Sequence, residues 1–431
     1  MTNSNKLPLI EFNPKLPKLS KNEKDMLGLL VEAGRLIAPL YVEQEKDAEK
    51  VSREEIEKAG KKDPAVLSPY TVVEKVNGKI VATPYHVKYA DFLKPIAAKL
   101  NEASKITENK EFGKTLKIRA ESLLTGEYDQ ATVASLNAKL YVLDISIGPL
   151  NHYDDKLFFS KASYHAWVGV VDKEGTEKLN NYKSTILSVR RKALVPKERI
   201  DSLEKVKAKV LDVVLFAGLM GRTKFVGINL PMDVGLVEQA GSEVTLFNQP
   251  NDLRIEEQIL PSFSKSFSKE FKQGFTKEDL RRGYLRTVAL HELAHSYLFY
   301  KNASKHLEDL YPCINELAAT VLGLIMSGTL LVKDRITNKQ LESMMVVFIS
   351  RTNYLKEKGK ENPSMVNYVL GGTVFINFML ESGAIKRYKG VLIPSFTKIF
   401  VSLHNLFDIL ESLLANGTRK DAEAFVKKYK D

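Results

Sequence analysis

The chain has 431 residues, with 64 Lys+Arg against 53 Asp+Glu, a net charge of +11. Hydrophobic residues make up 44% and charged residues 27%, which excludes a disordered or fibrous chain. One cysteine, Cys313, excludes an internal disulfide and a cysteine-rich zinc module, and at about 100–200 residues per domain the length predicts two or three domains or one two-lobed unit.

In chain order, Lys21–Val42 reads as one amphipathic helix, with Met26, Leu29, Leu30, Ala33, Leu36 and Ile37 at helical spacing. Glu43–Lys62 is a charged helical stretch or linker. Tyr70–Val73 and Lys79–Thr83 flank Asn77-Gly78, a hairpin signal. Ala90–Lys105 and Lys114–Leu124 read as helices, and Leu140–Ile147 and Ala166–Val171 as strands. Ile200–Ala217 shows helical periodicity, while Phe225–Leu230 and Val244–Phe247 read as short strands. Pro261–Gly274 reads as a connection. From Thr276, which sits at capping-box spacing from Asp279, a helix is expected to about Tyr300. Further helices are expected at Ile314–Met326, Asn338–Glu357, Ser364–Leu380, Ser395–Ala415 and Lys420–Lys428, making the C-terminal third all-α.

The N-terminal segment has no apolar run long enough for a signal peptide. The longest apolar run, Leu317–Val332, falls short of the ~18–20 residues of a spanning helix. These features predict a soluble, cytoplasmic protein with no membrane partner. Acidic residues dilute the basic balance throughout, so a lysine-rich solvated surface accounts for the charge and argues against a nucleic-acid partner. Nothing in the sequence sets the oligomeric state.

The segment His291-Glu292-Leu293-Ala294-His295 carries the chemistry. Positions i and i+4 share one helix face, so the two imidazoles can chelate one metal ion, and in this motif the glutamate acts as general base on a water. A hydrolytic zinc site wants a third protein ligand and an open position. The metzincin pattern needs Gly at 298 and His at 301; Leu298 and Lys301 exclude it. Glu316, 21 residues after His295, would return on the next helix, with His306, Glu308 and Asp309 as alternatives in the intervening loop.

With these segments in hand, the chain resembles the dipeptidyl peptidase III family of zinc peptidases. The resemblance rests on HELAH, on Ile314-Asn315-Glu316-Leu317-Ala318-Ala319, and on Gly227-Ile228-Asn229-Leu230-Pro231. It also rests on Ile147-Gly148-Pro149-Leu150-Asn151-His152-Tyr153 with Tyr164–Val170, Leu215-Phe216-Ala217-Gly218, and Phe378-Met379-Leu380-Glu381-Ser382-Gly383. Ser68-Pro69-Tyr70-Thr71 and Thr83-Pro84-Tyr85 are similar to shorter bacterial members, some fused to Nudix domains, although no Nudix box occurs here. The resemblance implies that His291, His295 and Glu316 ligate zinc and that Glu292 is the catalytic carboxylate. It implies that Asn229 binds the substrate backbone and that Tyr153 lies near the scissile carbonyl. Several positions depart from the family pattern. The family motif is one residue longer, its Glu-Glu-Cys-Arg-Ala-Glu segment appears as Asn315–Thr320, and its amine-gripping glutamate appears as Asn151. A second asparagine appears as Met232, and a late catalytic histidine falls near Tyr368, a candidate hydrogen-bond donor to the oxyanion.

His152 and His165 are candidate ligands of a second metal, with ordinary polar roles as the plainer reading. Cys313 reads as a small buried hydrophobe and Trp167 as core. The expected fold is α+β in two lobes: a β-barrel-like lobe (1–170 with 210–260) and a mostly helical catalytic lobe (171–209 with 261–431), with a cleft between them. The expected activity is zinc-dependent hydrolysis of short peptides, with N-terminal dipeptide release as one form of it. The alternative is a non-catalytic peptide-binding protein that retains the zinc site.

Overall fold

The structure is a computed structural model that describes residues 7–48, 51–151, 161–190, 199–200, 205–300, 302–359 and 365–430. The fold is α+β with two compact units. One comprises Met1–Lys173, Val210–Phe225 and Leu230–Glu243, the other Glu174–Lys209, Val226–Asn229 and Val244–Asp431.

The chain opens with β1 (Leu9–Glu11), α1 (Lys21–Arg35), α2 (Ile37–Asp47), α3 (Arg53–Gly60), β2 (Thr71–Val76) and β3 (Lys79–Pro84). Next come α4 (Tyr85–Lys88), α5 (Ala90–Ile106), α6 (Lys110–Thr125), α7 (Tyr128–Asn137), β4 (Leu143–Asn151) and β5 (Ser163–Val171). The stretch read as one helix over 21–42 is two, joined at Leu36. Pro39 explains the break, since it has no N–H to give the Arg35 carbonyl and its ring would crowd that group. The β2–β3 hairpin turns at Asn77 and Gly78, both with positive φ, as the Asn-Gly signal requires.

The remaining elements begin with α8 (Lys173–Arg190), β6 (Arg199–Ile200), β7 (Lys207–Gly218), α9 (Leu219–Thr223), β8 (Gly227–Leu230), α10 (Val234–Ala240) and β9 (Glu243–Phe247). Then follow α11 (Asn248–Arg254), α12 (Leu260–Ser266), α13 (Lys269–Gln273), α14 (Lys277–His295), β10 (Phe299–Tyr300), α15 (Ala303–Leu307), α16 (Tyr311–Val332) and α17 (Asn338–Lys358). The chain closes with α18 (Val366–Glu381), β11 (Ile385–Tyr388), β12 (Val391–Pro394), α19 (Phe396–Asn416) and α20 (Arg419–Tyr429).

Ile200–Ala217 is not a helix: β7 occupies most of it. Its run Lys207–Gly218 is buried along both faces, so the alternation that marks a half-exposed strand is missing. In the first unit β4 pairs antiparallel with β5, β5 with β7, and β7 with β1. Ala166, Val168, Leu215 and Ala217 from this sheet pack with Met26, Leu30, Ala33 and Ile37 of the helices in one apolar core.

In the second unit, Pro261–Gly274 forms the short helices α12 and α13 rather than an open connection. α14 stops at His295, before the expected Tyr300, and Phe299–Tyr300 pairs with Arg199–Ile200. The C-terminal third is not all-α, because β11 and β12 form a hairpin over Lys389-Gly390, both with positive φ. The helical segment Ala303–Val332 is long and apolar enough to cross a membrane, and 61% of its apolar window is buried inside the fold, as in a core helix.

Candidate metal centre

α14 starts on a capping box. Thr276 Oγ1 accepts from the Asp279 N–H at 3.1 Å, and Asp279 Oδ2 accepts from the Thr276 N–H at 2.9 Å. The helix buries Leu280, Tyr284, Ala289, Leu290, Leu293 and Ala294, which fixes its rotation. His291 and His295 then emerge together one turn apart. α16 crosses them at Gly323: a Cβ there would lie 2.9 Å from the His291 backbone nitrogen. The missing side chain lets the two helices approach closely enough for Glu316 to reach the imidazoles.

His291 Nε2 lies 3.1 Å from His295 Nε2 and 3.2 Å from Glu316 Oε2, and His295 Nε2 lies 3.6 Å from that oxygen. Bonds of ~2.0–2.1 Å in a tetrahedral zinc site put neighbouring ligand atoms about 3.3–3.4 Å apart. The triangle therefore has the dimensions of three corners of such a site, and the donor set of two imidazoles and one carboxylate suits it. Among the described residues this is the one His/Cys/Asp/Glu group compact enough to hold a metal ion. The alternative third ligands stand elsewhere: Asp309 accepts from Arg419 Nε at 2.8 Å, and Glu308 pairs with the same guanidinium.

Two residues orient the imidazoles. Thr320 Oγ1 donates to the Glu316 carbonyl at 3.1 Å and lies 3.0 Å from His291 Nδ1. With its own proton committed, Thr320 can only accept there, so His291 carries its proton on Nδ1 and presents a bare Nε2 to the centre. The Asn315 amide lies 3.4 Å from His295 Nδ1 through Nδ2, and its Oδ1 is buried with no partner. Turning the amide over sets Oδ1 against an Nδ1–H and frees His295 Nε2 in the same way. Spacing alone could not find these partners. They become visible only once Glu316 is placed, as its neighbours at i−1 and i+4.

Glu292 is buried, and burial raises its carboxyl above the ordinary range; His291 and His295 oppose that rise and Glu316 adds to it. Burial alone would raise Glu316 as well, but the charges and hydrogen bonds of His295 and His291 hold it well below the usual carboxylate range. Burial depresses His295, and the Glu316 charge outweighs this and raises it. The Tyr311 phenol, five residues before Glu316, is pushed up to about 12 by burial and then by that same charge.

β8 lies over this end of α14. A Cβ at Gly227 would sit 2.6 Å from Val288 Cγ1 and 3.1 Å from Glu292 Cγ. Asn229 donates both amide protons to the helix end, to the Glu292 carbonyl at 3.0 Å and to Ser296 Oγ at 2.7 Å, leaving a buried Oδ1. Tyr368 is half-buried on α18, one turn before Gly371 and Gly372. Those glycines pack closely, Gly371 against Leu317 and Cys313 of α16 and Gly372 against Thr352 of α17. Cys313 is buried, as expected, and burial pushes its thiol up to about 12.

Asn151 ends β4 in the first unit and is buried. Met232 is exposed. Tyr153 and His152 lie outside the described residues. His165 is a fully buried histidine stacked on Trp167, with ring centroids 5.1 Å apart, and it belongs to no compact ligand group among the described residues.

No family model matches the chain. It is 23% identical over 374 residues to "Nudix hydrolase 3" of Arabidopsis thaliana, covering 82% of this chain and 46% of that protein, so it spans about half the length of the curated relative it matches. Two solved structures match almost throughout. The structure of DPP III from Caldithrix abyssi superposes with a TM-score of 0.80 at 20% identity, covering 96% of this chain and 91% of that one. The chain has the dipeptidyl peptidase III fold. Dipeptidyl-peptidase III from Corallococcus sp. strain EGB superposes with a TM-score of 0.82 at 19% identity, covering 98% and 90%. On this dipeptidyl peptidase III fold, the side chains that face His291 and His295 are the neutral Thr320 and Asn315.

Proposed function

We propose that the chain is a cytoplasmic zinc peptidase that hydrolyses short peptides. The observation that carries this reading is the His291–His295–Glu316 triangle, whose edges match a tetrahedral zinc site, with Glu292 beside it on the same helix. His291, His295 and Glu316 would hold the ion, which when bound supplies a Lewis acid and lowers the pKa of water. Glu292 takes the proton from the attacking water and passes it to the leaving amine, and burial of its carboxyl favours that exchange. Thr320 and Asn315 keep the proton of each imidazole on Nδ1. Asn229 fixes the helix end that carries Glu292 and is assigned to the substrate backbone. Tyr368, with Tyr153, is assigned to the oxyanion, where one donor contributes roughly 10²–10³-fold.

Loss of an amine-gripping carboxylate at Asn151 favours a second reading, a peptide-binding protein with a retained metal site. A mixed pool of short peptides, digested with and without a chelator and resolved by mass, separates the two. Turnover abolished by chelation and restored by zinc is the expected result. Products two residues long would place the chain with the dipeptidyl peptidases, and other lengths would assign a re-cut substrate clamp. Absence of products with metal bound would establish the binding-protein reading.

A further inference from the structure

The first unit buries a positive charge that the proposed chemistry does not use. Arg119 on α6 is 7% exposed, and its one hydrogen bond among the described residues is a long one, from Nη2 to Ser135 Oγ at 3.5 Å. Its Nη1 is buried without a partner, and no carboxylate pairs with the guanidinium among the described residues. Burial lowers the group to about 10, and the next influence on it is Tyr70, whose phenol burial holds neutral. A guanidinium does not escape burial by losing its proton, so an isolated one is unfavourable unless an anion accompanies it.

A second orphan lies beside it. His165 on β5 sits directly across from Gly148 on β4. A Cβ built on Gly148 would lie 3.8 Å from Arg119 Nη1, 3.7 Å from Leu123 Cδ2 and 3.8 Å from Leu150 Cγ. Gly148 has φ of +135°, a conformation that residues with a side chain rarely adopt. His165 is fully buried, its Nε2 lies 3.1 Å from Ser146 Oγ, and its Nδ1 has no partner. Burial, with Arg119 second, pushes the imidazole down to about 3, so it is neutral and carries one proton. When Ser146 donates to Nε2, that proton is on Nδ1, and both orphans are donors.

We propose that Arg119 and His165 form a buried binding site for a small inorganic anion such as chloride. The two buried donors call for an acceptor, and the guanidinium calls for negative charge. This site is independent of the metal centre and of the proposed peptidase activity.

The test uses the whole wild-type chain exchanged into gluconate. Titrating chloride to about 100 mM at constant ionic strength should raise Tm along a saturating curve by roughly 2–4 °C. Crystals grown in bromide should show an anomalous peak in contact with Arg119 Nη1 and His165 Nδ1. Arg119→Met should abolish the chloride response. A flat response in the wild type, a water in place of the bromide peak, or an unchanged response in Arg119→Met would each overturn the proposal. Should Arg119→Met fail to fold, the bromide map decides alone.

Discussion

Neutral side chains do the work of orienting the imidazoles. Thr320 holds His291 through an oxygen whose own proton is already given to the Glu316 carbonyl, and Asn315 faces His295. A carboxylate in either place would raise the basicity of the imidazole it faces; a hydroxyl or amide fixes the tautomer without that charge. Thr320→Val and Asn315→Leu keep shape and remove the acceptor. Each should weaken zinc binding about 10–100-fold, read by competition with a chromophoric chelator, while the helical circular dichroism stays unchanged. Unchanged affinity in both variants would mean that the tautomers are set by other groups. The five-residue motif itself was legible in the sequence, because the chemistry needs two imidazoles four apart and a carboxylate between them. The partners were not, because nothing in spacing says which side chain a ring nitrogen meets across helices.

The approach of α16 to α14 decides whether the third ligand arrives. Gly323 stands where a Cβ would meet the His291 backbone at 2.9 Å. Alanine favours an isolated helix by about 1 kcal/mol over glycine, yet here the added methyl would part the two helices. Gly323→Ala should lower both Tm and zinc affinity, measured by thermal melt and metal titration. A higher Tm with unchanged affinity would show that the helices do not depend on this contact. Elements whose pattern survives burial on one side were readable, among them α14, α16, α17, α19 and the Asn-Gly hairpin. β7 was not: with both faces covered, Lys207–Gly218 loses its alternation and reads as helix. The β11–β12 hairpin escaped because its Lys-Gly turn lacks the usual Asn or Asp.

Across the whole molecule, the fold agrees with solved dipeptidyl peptidase III structures at TM-scores of 0.80 and 0.82 while only about a fifth of the residues are identical. Short segments in a shared order made that fold recognisable in the sequence, though each alone is too short to do so. The metal should contribute to the stability of the chain, because the triangle forms only when α14 and α16 are packed. Stripping zinc with a chelator should lower Tm by several degrees, as expected when a ligand at about 100 times its Kd is withdrawn, and zinc alone should restore it. A melt insensitive to chelation would argue against a resident ion. The central claim is that Glu292 acts as the base beside a metal held by His291, His295 and Glu316. Its most direct test is Glu292→Gln, with metal content by mass spectrometry and peptide turnover measured on one preparation. The account predicts about one zinc per chain, as in the wild type, and turnover reduced at least 10²-fold. Undiminished turnover in the zinc-loaded variant would contradict it.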